Sequence, residues 1–211
     1  FHSHKNMTTL GEGGMLVVRD PEWADIVPML RHNGHRPYSV DRPDYWIPAM
    51  TDVTLPCLKG KALWPINCCL GEVSCALGTQ LLDRVDEMNA QKRARALTVI
   101  DALADCPELV FHREASLRHS YYLLAAHVQG GLRDRFIRRM AEHYGIQCVV
   151  QYYPLNRYPL YRDLGFGEAV VPSTDAFFDN MVSLPFSHLL TDVQIEQIIA
   201  ATRQTVEFLR R

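Results

Sequence analysis

Apolar residues recur at helical spacing through Val73, Leu77, Leu81, Val85 and Met88, and the pattern resumes at Leu97, Ile100 and Ala104. This periodicity predicts one long amphipathic helix from about Gly71, of the length that bridges two domains. Before it, "GEGG" leads into the apolar run Met15–Val18, which reads as a short strand, and the Asp-Pro of "RDPEW" punctuates the start of a helix ending near "HNGH" at Gly34. Pro37, Pro43, Pro48, Pro56 and Pro65 interrupt any periodicity from Arg36 to Pro65, so that stretch reads as a long ordered loop or linker. Downstream, "VFHR" and "SYYLLAAHV" read as extended. A helix follows with Leu132, Phe136, Ile137, Met140 and Tyr144 on its apolar face and Gly145 at its end. Ile146–Tyr153 reads as a strand stopped by Pro154, and "MVSLPF" as another stopped by Pro185. Thr191 and Gln194 stand at capping-box spacing before a last helix that turns Ile195, Ile198, Ile199, Thr202, Val206 and Leu209 inward. From Gly71 onward the pattern is that of one small α/β domain.

Composition narrows the function classes. The 211 residues are 47% hydrophobic, enough for a sizeable core, and 22 Lys and Arg nearly balance 24 Asp and Glu. No whole-chain field favours nucleic acid or an anionic membrane, and no apolar run approaches the roughly 18 residues a bilayer span needs. Cys57, Cys68, Cys69, Cys75, Cys106 and Cys148 form no Cys-x-x-Cys pair, which suits reduced thiols in a cytoplasmic protein.

The chemistry-bearing residues gather at the start of the chain. Lys5 lies between His2 and His4 on one side and Thr8, Thr9 and the glycines Gly11, Gly13 and Gly14 on the other. A solvated surface lysine is the ordinary reading. An amine becomes a carbonyl-condensing nucleophile where desolvation or neighbouring cations depress its pKa, and glycines let backbone approach a ligand or turn with positive φ. The pairs His2/His4 and His32/His35 have spacings zinc could use, but a zinc site leaves Lys5 unexplained and finds no carboxylate or cysteine at a supporting spacing, so no metal is expected. No Gly-x-Ser-x-Gly elbow is present. The stretch "QYYPLNRYPLY", without a basic field around it, suits the rim of a small-molecule cleft better than a stacking platform for nucleic acid.

Read together, these stretches resemble the DegT/StrS sugar aminotransferases, which are fold-type-I pyridoxal-phosphate enzymes. Phe1, His2, Lys5 and Gly11 to Gly14 follow the family's Ser-Phe-His-x-x-Lys and Gly-Glu-Gly-Gly in order, and Arg31 and Gly34 match the end of its next helix. "NCCLGEVSCALGTQLLDRVDEMN" is similar to Asn-Tyr-Arg-Met and the helix after it. "GIQCVVQYYPLNRYPLYRDLGF" and "MVSLPFSHLLTDVQIEQII" are similar to its C-terminal motifs. The chain departs from the pattern at Asn33, Gln151 and Asn156, where histidines are usual, and at Cys69, where an arginine is expected.

The resemblance implies an α/β chain made of the end of a fold-type-I large domain, residues 1–70, and the complete small domain, residues 71–211, entered by the bridging helix. It implies that Lys5 carries pyridoxal 5'-phosphate and moves the proton, and that Asn67 contacts the cofactor phosphate of the neighbouring subunit in a homodimer with shared active sites. The reaction implied is amino transfer from glutamate or glutamine to a keto-sugar, nucleotide-linked or phosphorylated, in amino-sugar biosynthesis. In this family the aspartate facing the pyridine nitrogen and the aromatic residue stacked on the ring precede the position of Phe1, so the 211 residues alone are expected to hold cofactor poorly and to be inactive. A deoxysugar dehydratase usually has histidine where Lys5 stands. A non-catalytic or regulatory protein of the same fold is the other alternative, and Cys69, Gln151 and Asn156 are the residues in its favour.

Overall fold

A computed structural model describes residues 1–35, 46, 48–113 and 119–211. The chain divides into two compact units, Phe1–Asp83 and Arg84–Arg211.

In the first unit, α1 (Pro21–Arg31) starts where the pattern predicts. Asp20 caps it by accepting the Glu22 N–H at 2.8 Å, and Pro21 occupies the first turn, where its missing N–H costs nothing. The helix ends at His32, Asn33 takes a left-handed conformation (φ 54°), and Gly34 follows with φ 74°. A Cβ on Gly34 would lie 1.9 Å from the Thr51 carbonyl oxygen, so only glycine fits there. Within the stretch read as a loop, β1 (Val53–Leu55) and β2 (Lys61–Leu63) form an antiparallel hairpin pairing Val53 with Leu63 and Leu55 with Lys61. Pro56–Leu58 and the left-handed pair Lys59 and Gly60 make its turn, so the proline that broke the periodicity belongs to a hairpin loop. The part of that loop at residues 36–45 and 47 lies outside the described residues. Ile26, Val53 and Leu55 form the small core, with Trp23, Met29 and Leu30 packed on it.

Met15–Val18 forms no strand. Met15, Leu16 and Val17 are 76%, 69% and 80% exposed, and among the described residues no strand pairs with them. An apolar run becomes a strand only where another strand presents its unpaired backbone groups. The long helix is likewise two helices, α2 (Glu72–Leu82) in the first unit and α3 (Val85–Ala102) in the second, interrupted at Asp83 and Arg84. The first unit therefore ends inside the stretch whose periodicity reads as continuous.

The second unit is built on the antiparallel sheet β3 (Leu109–Phe111), β4 (Leu124–Val128) and β5 (Met181–Leu184), in the order β3-β4-β5. β4 alternates: Leu124, Ala126 and Val128 are buried in one cluster with Val99 and Ile100 of α3, Phe136 and Met140 of α4 (Arg133–Tyr144), and Ile195, Ile198 and Val206 of α7 (Asp192–Leu209). His127, on the opposite face, meets Phe177 of α6 (Pro172–Asn180) edge to face at 4.8 Å. Gly145 closes α4 with φ 65°, and the Thr191–Gln194 capping box opens α7, both as the pattern requires. Ile146–Tyr153 contributes only one bridge to the sheet edge, Val149 with Ser183, and then leaves it through a single turn, α5 (Pro159–Tyr161).

Candidate functional site

Lys5 sits on a turn at the first unit's surface. Its backbone N–H donates to the His2 carbonyl at 2.9 Å, and the Thr9 N–H donates to the Phe1 carbonyl at 3.1 Å, so residues 1–9 close into a compact loop. His2 is held from both sides: its Nδ1 accepts the His4 N–H at 3.1 Å and its Nε2 faces Glu12 at 3.4 Å, the pattern of a ring protonated at Nε2. Thr9 is buried beneath the loop, and its hydroxyl meets no hydrogen-bond partner among the described residues. A Cβ on Gly13 would come within 3.0 Å of that hydroxyl and 3.1 Å of Leu70, and one on Gly78 of α2 within 3.2 Å of the Thr9 methyl. Gly13 and Gly78 thus serve close packing around Thr9, whereas a Cβ on Gly11 or Gly14 would meet open space. None of Gly11, Gly13 and Gly14 has positive φ; Leu10 takes the left-handed conformation instead (φ 68°).

Asn67 lies on a separate segment, fixed against the end of α1. It bridges His32, the Asn33 N–H donates to Ile66, and the Cys68 N–H donates to Arg31 at 2.9 Å. The side-chain oxygen of Asn67, an exposed residue, accepts the Cys69 N–H at 3.2 Å. The Cys69 thiol, at the position where an arginine is expected, turns toward the Arg31 carbonyl at 3.8 Å. His32 and His35 stand with ring centroids 5.4 Å apart, and the described residues contain no group of three metal-ligating side chains.

In the second unit, a largely apolar cleft of about 410 Å³ is lined by Leu155, Asn156, Tyr161, Phe166, Val171 and Thr174. Asn156 is held by donating to the Ala169 carbonyl at 3.1 Å, and Arg157 pairs with Asp175 and Asp179, tying the cleft's two walls together. The proline- and tyrosine-rich stretch supplies one wall, as its composition suggests. The other, Val171 and Thr174 at the start of α6, has no marking in the sequence.

Solved structures similar to this one share its fold, which is that of fold-type-I pyridoxal-phosphate transferases. Spr1654 from Streptococcus pneumoniae, in its PLP form, superposes with a TM-score of 0.76 at 22% identity, covering 99% of this chain and 51% of that one. PseC of Helicobacter pylori, an aminotransferase involved in the biosynthesis of pseudoaminic acid, superposes with a TM-score of 0.71 at 20% identity, covering 90% and 47%. Within that class the chain belongs to the DegT/DnrJ/EryC1/StrS aminotransferase family, whose model matches residues 1–203. Among curated relatives, the spore coat polysaccharide biosynthesis protein SpsC of Bacillus subtilis is 26% identical over 215 residues, covering 98% of this chain and 52% of that protein. The chain spans about half the length of the curated relatives it matches.

The donor set fits pyridoxal phosphate in two respects. Lys5 offers a primary amine on an exposed turn, the kind of group that condenses with a carbonyl, and the exposed Asn67 offers an amide whose N–H groups are of the kind a phosphate oxygen accepts.

Proposed function

We propose that this chain is part of a pyridoxal-phosphate-dependent sugar aminotransferase that moves an amino group from glutamate or glutamine to a keto-sugar, nucleotide-linked or phosphorylated, in amino-sugar biosynthesis. The observation that carries the reading is the position of Lys5: on a closed loop packed over Thr9, Gly13 and Gly78, in a chain whose family match runs from residue 1 to 203.

Pyridoxal phosphate, when bound, supplies an electron sink for the charge left on the substrate carbon as a proton departs. Lys5 would hold the group through its Nζ, and the same amine, when free, would act as base and acid, moving the proton between the donor's α-carbon and the cofactor's carbon. The backbone bonds of residues 1–9 fix the loop from which that amine projects. Asn67 would donate to the phosphate held by the partner protomer in a homodimer, its side chain fixed by the Cys69 N–H and its backbone by the bridge to His32 at the end of α1. The second unit's cleft, with Asn156 in its wall, provides apolar surface and one polar group for the sugar substrate. The protein is expected in the cytoplasm.

Borohydride reduction of the complete protein after incubation with pyridoxal phosphate should add one cofactor mass to the peptide containing Lys5, and Lys5→Ala should abolish both that adduct and amine transfer. An adduct on a different lysine, or full transfer by Lys5→Ala, defeats the assignment. One observation favours a non-catalytic reading of the fold: the Cys69 thiol occupies the arginine position and faces backbone. Cofactor trapped on Lys5 without transfer to any keto-sugar would support that reading.

A further inference from the structure

The remaining feature with chemistry of its own lies on α4, whose sequence "RDRFIRRMAEHY" carries two patterns at once. Phe136 and Met140 point into the core, while Arg135, Arg138, Arg139 and Glu142 follow one another at the three- and four-residue spacings that place side chains on a single stripe. Arg135, Arg138, Arg139, Glu142 and His143 line a groove of about 350 Å³ with Phe208 of α7.

The charge in this groove is unbalanced. Among the described residues none of the three arginines has a carboxylate partner, whereas Arg203 and Arg210 of the same unit are paired with Asp105 and Glu108. Like charges three and four apart on a helix repel, and although Glu142 stands four residues from Arg138 and three from Arg139, the three arginines outnumber it. Arg139 is also more than a solvated surface cation. Its guanidinium stacks on the Phe208 ring with 3.7 Å to the centroid and lies 5.9 Å from the Tyr144 ring, and its Nε is buried without an acceptor among the described residues. Tyr144 is itself anchored, its hydroxyl donating to Gln204 at 3.0 Å. A guanidinium held in a fixed plane has lost its rotamer freedom in advance, and the fork it offers matches the oxygens of a phosphoryl group. Arg138 and Arg139 are adjacent and Arg135 lies one turn below, so two linked phosphoryl groups can each meet an arginine along about 6 Å of helix axis.

We propose that this groove is a binding site for a small polyphosphate anion of the diphosphate class, with Arg139 as the oriented fork and Arg135 and Arg138 as its flanking cations. The site is independent of the transfer reaction and is formed entirely by the second unit. Titration calorimetry of the complete protein with sodium pyrophosphate, at ionic strength held constant with sodium chloride, should give saturable binding at one site per chain, tighter than inorganic phosphate. The exposed double variant Arg135→Gln/Arg138→Gln should weaken it by about tenfold or more. Arg139→Lys, which keeps the charge but loses the fork, should weaken it as well, with circular dichroism confirming that each variant is folded. Absence of saturable heat, equal affinity in the double variant, or full affinity in Arg139→Lys overturns the proposal. Tighter binding of polyaspartate than of pyrophosphate overturns it too, in favour of an acidic protein surface as the occupant.

Discussion

Burial divides the six cysteines into two chemical groups. All are free; Cys57, Cys68, Cys69 and Cys75 are exposed, and Cys106 and Cys148 are buried in the second unit. Desolvation pushes the Cys148 thiol from 9.0 up to about 11, and burial raises Cys106 as well, against the opposing pull of Arg203. The thiolate is the reactive form, so iodoacetamide at pH 8 should label the four exposed cysteines in the native chain and leave Cys106 and Cys148 unmodified until denaturant is added. Mass spectrometry of the labelled peptides reads this directly. The same shift has a sign for stability: above pH 9.0 the unfolded chain releases the Cys148 proton first, the folded chain holds more protons, and stability falls as pH rises from about 9 to about 11. At Gly34 the constraint is steric. Gly34→Ala sets a methyl against the Thr51 carbonyl in a left-handed backbone, and should destabilise the first unit by about 1–3 kcal/mol in urea denaturation.

Elements whose ends carry their own chemistry are the ones the sequence reveals. Asp20 and Pro21 mark the start of α1, Gly145 the end of α4 and Thr191 with Gln194 the start of α7, because each cap satisfies backbone groups locally and needs no distant partner. Thr191→Ala should therefore cost the second unit about 1 kcal/mol, measured by the shift of its urea midpoint, whereas the exposed Val193→Ala should leave it nearly unchanged. Strands are legible only in part, for the opposite reason. Met181–Leu184 pairs with β4 and is buried throughout, but Met15–Val18 and Ile146–Tyr153 have comparable local composition and find no ladder, because pairing is decided by distant chain. The break at Asp83 and Arg84 was hidden because apolar residues keep helical spacing across it. For the site, Lys5 and Asn67 stand out through ordered motifs, while the buried Thr9 hydroxyl, the α6 wall of the cleft and the Arg139–Phe208 stack arise from packing between segments far apart in sequence.

At the scale of the whole chain, the two units differ sharply in what holds them. Among the described residues, twenty buried ones form the second unit's core across α3, α4, α7 and the sheet, whereas three, Ile26, Val53 and Leu55, form that of the first. Each fully buried aliphatic or aromatic side chain contributes about 1.5–3 kcal/mol, so the first unit has much less to set against its conformational entropy. The protein carries its own probe for the difference, because Trp23, Trp46 and Trp64, the three tryptophans of the chain, all lie in the first unit. Trp46 and Trp64 are largely exposed, while Trp23 packs against the small core and will report its loss. Far-ultraviolet circular dichroism, in contrast, is dominated by α3, α4 and α7 of the second unit. Urea denaturation of the 211-residue chain should thus show tryptophan emission changing at lower denaturant than the main loss of helical signal. If the two probes trace one coincident transition, the units unfold as a single cooperative body and the small core does not limit the first unit's stability.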